Sequence, residues 1–205
     1  MSWFSPLPVR LFGLLALVAF SPELSSAPIV ATPYSYNVTL DAGSPVFWRT
    51  REGNPPDSLS GAGTAMSYNA LAFVPDTTGS YTFETTAAAL SRGPNGERAD
   101  DTFLALYQGS FNPGSALVNI LQADDSSGPG ELSLFSRSLT LGVNYILVTT
   151  TFTDRQYGSI TTRISGPQGS SLDLGTGSSV PEPGTITLVA GALLALQVVR
   201  RRKAK

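Results

Sequence analysis

The sequence predicts an all-β body, a jelly-roll-like β-sandwich of about nine strands, carried between an N-terminal signal peptide and a C-terminal single transmembrane helix. Three observations predict it. The middle of the chain runs in short apolar-polar alternations rich in β-branched and aromatic residues, punctuated by Gly, Pro, Asn and Asp, with no long stretch of helical period. Each end carries an uncharged apolar segment. Neither cysteine nor histidine occurs anywhere in the 205 residues, so the body is held by its core alone, without disulfides or common zinc ligands.

At the N-terminus, Arg10 precedes the apolar run Leu11 to Phe20, and Pro22 and a series of small residues follow. A short positive region, an apolar core of about 7–15 residues and a small-residue exit describe a secretory signal peptide. The run is too short to cross a bilayer. A cut after Ala27 would leave Pro28 next to the scissile bond, so the cut is expected near Ala31 and residues 1–31 are assigned to the signal.

Residues 32–165 supply the sandwich, with strands expected at 34–40, 45–50, 68–74, 79–86, 102–108, 117–121, 132–139, 144–152 and 157–165. Alternation sets their faces. Tyr81 and Phe83 share one side of their strand, and Ile146 and Val148 share one side of theirs. Leu104 and Leu106 point opposite to Phe103, Ala105 and Tyr107, which predicts a central strand buried on both sides. Residues 166–179, rich in Gly and Ser, read as a flexible linker.

The C-terminal stretch follows. Residues 184–199 contain no charge and make a helix of about 24 Å at 1.5 Å per residue, against a hydrocarbon core of about 30 Å. Snorkelling cations and local thinning close the gap. The basic tail Arg200, Arg201, Arg202, Lys203 and Lys205 stays on the cytoplasmic side and holds the body outside. Before the helix, Pro181, Glu182 and Pro183 keep the chain extended, because proline cannot continue a helix backward.

The order Val180-Pro181-Glu182-Pro183, short apolar helix, basic end closely resembles the PEP-CTERM sorting signal of bacterial exported proteins. That resemblance implies recognition of Pro181, Glu182 and Pro183 by an exosortase, cleavage near them, and a Gram-negative host that makes extracellular polysaccharide. A plain single-span anchor is the alternative. The body, over about residues 68–167, is similar to the bacterial pre-peptidase C-terminal type of β-sandwich. It shares "GSYTFETT", "DDTFLALYQGSFNPGSALVNILQADDSSG" and "LTLGVNYILVTTTFTDRQYGSITTRISGP", and departs at Gly142-Val143-Asn144-Tyr145, where one extra residue separates Gly from Tyr. This likeness implies an accessory module.

Charge and composition narrow the chemistry. Residues 32–179 hold seven arginines, no lysine and thirteen acids, a net charge of −6, which argues against a nucleic-acid partner. Without histidine or cysteine, no Ser-His-Asp or Cys-His triad exists. The doublets Asp100-Asp101 and Asp124-Asp125 suit calcium through hard oxygen ligands, or turn chemistry in which Asp accepts nearby backbone amides. An acid pair is also what a glycosidase uses, but thirteen acids single out none. Trp48 reads as a buried anchor. Tyr34, Tyr36, Tyr68, Tyr107 and Tyr157 either close the ends of a core or form a weak sugar-binding face. Arg92 and Arg98 are expected to pair locally or face solvent.

The expectation is an exported, non-enzymatic surface or matrix protein, whose partners are the secretion machinery, an exosortase and the inner membrane. The alternative is a binding module for extracellular polysaccharide with structural calcium. An extracellular hydrolase ranks last.

Overall fold

The computed structural model describes residues 28–93, 96 and 98–175. Twelve strands make up the regular structure among them: Ile29–Ala31 (β1), Tyr34–Leu40 (β2), Val46–Phe47 (β3), Met66–Ser67 (β4), Asn69–Pro75 (β5), Gly79–Leu90 (β6), Thr102–Gln108 (β7), Ile120–Asp124 (β8), Leu134–Leu139 (β9), Tyr145–Thr151 (β10), Gly158–Ser165 (β11) and Ser171–Asp173 (β12). They form a six-stranded sheet in the order β1-β12-β5-β10-β7-β8, a four-stranded sheet in the order β2-β11-β6-β9, and the short hairpin β3-β4. Every pairing is antiparallel. No described helix is long and apolar enough to cross a membrane.

The two large sheets pack face to face, as β-sandwich sheets do. Phe83 and Phe135 from the four-stranded sheet meet Phe73, Leu104, Leu106 and Leu147 from the six-stranded one in this inner core. Each fully buried aliphatic or aromatic side chain there contributes about 1.5–3 kcal/mol relative to exposure. The six-stranded sheet is also covered on its other side. There Phe103, Tyr107, Ile146 and Val148 pack under Phe47, Met66, Tyr68 and Phe111 in an outer core. Every residue of β10 and all of β7 except Gln108 are therefore buried, as two-sided burial of residues 102–108 predicts. Tyr81 and Phe83 both face the inner core, and Ile146 and Val148 both face the outer one.

Several boundaries differ from the sequence expectation. The strand expected over 45–50 shrinks to β3, because from Trp48 the chain leaves the hairpin for a long excursion that returns at β4. The strand expected over 117–121 slides to Ile120–Asp124: Asn119 takes a φ of 65°, a left-handed value, and Leu117 and Val118 stay in the exposed loop before it.

Both edges of the body also move outward. Residues 29–31, assigned to the signal peptide, form β1 and pair with β12, which lies inside the stretch read as linker. The physical reason is that Leu172 and Leu174 complete the inner core, while Ser171 is held by Asp76 through its amide at 2.8 Å and its hydroxyl at 2.6 Å. The rest of the expected signal peptide, the Pro181-Glu182-Pro183 motif, the helix over 184–199 and the basic tail lie outside the described residues.

Candidate functional site

The excursion between β3 and β4 builds the site. Phe47 points into the outer core, and the alternation of an extended chain then turns Trp48 outward and Arg49 inward. Trp48 is 47% exposed, which corrects the expectation of a buried anchor, while Arg49 is 2% exposed.

Burying an arginine requires that its guanidinium be satisfied. Arg49 Nε donates to the Phe152 carbonyl at 2.9 Å and Nη1 to the Thr50 carbonyl at 3.0 Å. Its guanidinium carbon lies 4.4 Å from the Phe103 ring centre and 4.5 Å from that of Phe152, a double cation–π contact. Gly63 is required beneath it: a Cβ there would stand 2.6 Å from Arg49 Cγ. Burial lowers the Arg49 pKa, and the nearby carboxylates of Asp125, Asp101, Asp154 and Glu52 oppose that shift. Paired amide–carbonyl bonds between Gly53 and Ala123 pin the excursion to β8.

Arg49, Arg51, Glu52, Ser60, Phe103, Phe152 and Asp125 line a pocket of about 430 Å³. Asp125 Oδ1 is enclosed and accepts no hydrogen bond among the described residues. Burial first, then the charge of Asp101, pushes the Asp125 carboxyl up to about 7, against the pull of Arg49. The pocket thus holds one acid able to exchange a proton near neutrality beside a cation already committed to carbonyls and rings.

The four aspartates singled out for calcium take separate roles. Asp100 accepts two bonds from Arg98, at 2.9 and 3.0 Å, the local pairing expected of that arginine. Asp124 is a turn acceptor, taking the amides of Ser127 at 3.2 Å and Leu134 at 2.8 Å. Asp101 adds its charge to the field at Asp125, which alone of the four lines the pocket. Among the described residues no three acids gather closely enough to hold a metal ion.

Beside the pocket, Trp48 and Leu59 face residues 113–118 across an apolar groove of about 390 Å³. The indole is fixed by its Nε1, which donates to the Ser60 carbonyl at 2.6 Å. None of the seven tyrosines is exposed. Tyr68 and Tyr107 lie in the outer core, and Tyr36 stacks on Tyr34 with its hydroxyl 3.0 Å from Thr149 Oγ1.

Sequence reasoning named Asp125 for another purpose and missed Arg49. The signal that could have found it was the period of two from Phe47, which places residue 49 inward whatever its charge. No curated protein and no solved structure matches the chain. Residues 179–203 do match the model of the PEP-CTERM protein-sorting motif, so behind its β-sandwich the chain carries the C-terminal signal that marks exported proteins for processing by an exosortase.

Proposed function

We propose that this chain is a non-enzymatic protein of the cell surface or extracellular matrix, displayed outside the inner membrane and then released by cleavage at its C-terminal signal. The observation that carries the reading is the order of parts: a folded body closing at Gly175, then the matched motif at residues 179–203. Residues 184–199 carry no charge and are followed by the basic tail, the composition of a single-span anchor stopped by cations. Five residues, 176–180, lie between Gly175 and Pro181, so the motif lies within about 20 Å of Gly175. Cleavage there frees the body with a short C-terminal extension.

The body offers no histidine or cysteine, and Asp125, raised toward neutrality, sits among Asp101, Glu52 and Arg49 with no imidazole or thiol to serve as its partner. That supports a non-catalytic role. The polysaccharide-binding reading ranks below it, since no exposed tyrosine forms a sugar platform. The test is the mass and fractionation of the protein in its host, for the wild type and for Pro181→Ala/Glu182→Ala/Pro183→Ala. The wild type is expected to lose its tail and leave the membrane while the variant stays full length and anchored. Full-length, membrane-bound protein in both cases would sink the proposal in favour of a permanent single-span anchor.

A further inference from the structure

We propose that the apolar patch around Trp48 is the surface with which the anchored body rests on the lipid bilayer before its release. The proposal rests on the reading of residues 184–199 as the anchor, and three features of the body lead to it.

The first is the patch itself. Val46, Trp48, Leu117 and Val118 are 54%, 47%, 39% and 55% exposed, and none of the residues lining the groove beside Trp48 carries a charge. Tryptophan with aliphatic neighbours is the composition that partitions into the headgroup region. Holding the indole to the Ser60 carbonyl orients the ring without an ordering cost at contact.

The second is where the chain leaves. β12 runs antiparallel to β5, and Gly175 reaches Ala72, a residue packed against the outer core. Its direction is toward the Asn69 end of β5, next to Ser67, which pairs with Val46. Exit and Val46 therefore lie toward the same end of β5.

The third is length. From Gly175 to residue 184 the chain spans at most about 30 Å fully extended, against a radius of gyration of about 15 Å for a body of this size. A tether that short, leaving toward that end, keeps that end close to the bilayer. Four side chains hold a free protein to lipid weakly, but tethering makes the contact intramolecular and its effective concentration high. Removal of the anchor removes the tether, and the patch alone no longer retains the body, as one weak membrane signal does not.

The test uses the full chain carrying Trp3→Phe, which leaves Trp48 as the sole tryptophan, reconstituted in phosphatidylethanolamine/phosphatidylglycerol vesicles with or without brominated acyl chains. Brominated lipid is expected to quench Trp48 emission by about half or more. A Val46→Ser/Leu117→Ser/Val118→Ser form, folded by circular dichroism, should lose most of that quenching while resisting carbonate extraction. Equal emission in both vesicles from a carbonate-resistant chain overturns the patch proposal and leaves the anchor standing. Equal emission together with cross-linked dimers overturns it in favour of a second copy as the occupant. Extraction by carbonate overturns the anchor and this proposal with it.

Discussion

The two faces of the six-stranded sheet share strands β7 and β10 but are covered by different means. On the inner side lies a second sheet, whose regular alternation delivers Phe83, Phe135 and Ile164 to a core of aliphatic and aromatic side chains. On the outer side lie a two-residue hairpin pair and two loops, which bring Phe47 and Phe111 but also a buried arginine, an enclosed carboxylate oxygen, a pocket and a groove. Regular cover makes a scaffold. Irregular cover admits polar groups, because loop backbone carbonyls such as those of Thr50 and Phe152 are free to satisfy them where strand carbonyls are already paired.

The comparison is broken most severely from the inner side. Phe83→Ala, at a fully buried position between the sheets, is expected to cost about 3–5 kcal/mol, read as a lowered urea midpoint with an unchanged slope. Leu172→Ala should cost about 2–5 kcal/mol for the same reason. A loss below about 0.5 kcal/mol there would mean that β12 belongs to a loose linker after all.

The outer side responds to smaller changes. Gly63→Ala pushes a methyl against Arg49 Cγ and Nε, on a side chain whose guanidinium is held by two carbonyls and two rings; a loss of about 1–3 kcal/mol is expected on thermal unfolding. The least effect, and the sharpest discrimination, comes from Asp125. Its carboxyl titrates at about 7 in the folded chain against about 3.9 unfolded, so the native state holds the proton more tightly. Stability from this group is full below about pH 4, falls as pH rises toward 7, and is flat above. Asp125→Asn should flatten that decline and be more stable than wild type at pH 8. A decline unchanged by the substitution would place its origin elsewhere, among Asp101, Glu52, Asp124 and Arg49, the charged groups that face Asp125.

The same contrast explains what could be read from the sequence. The strands at 34–40 and 102–108 are legible to the residue, because alternation and two-sided apolar filling leave one register that buries every large side chain. β12 is not legible: three residues in a Gly/Ser-rich stretch carry one buried leucine, and its place depends on a partner strand at the other end of the chain. β1 was hidden in the sequence by its position after the apolar run Leu11 to Phe20. At the site, hydrophobicity argued for burying Trp48 and solvating Arg49, whereas the pleat did the reverse. The pleat prevails because the aromatic sandwich and two carbonyls meet the needs of the guanidinium. The indole needs only one carbonyl, which it finds at the surface.

The pairing of β1 with β12 sets a timetable. β1 is made near the start of the chain, yet among the described residues its strand partner is the last strand, β12. Contacts of such sequence separation form late and only when both segments share one compartment. An exported chain that threads outward from its N-terminus must therefore wait, with this edge of the sheet open, until residue 173 has emerged. The body closes only once residues 171–174 are in place, its own two ends then fastened side by side through the Leu174 amide and the Pro28 carbonyl, 2.9 Å apart.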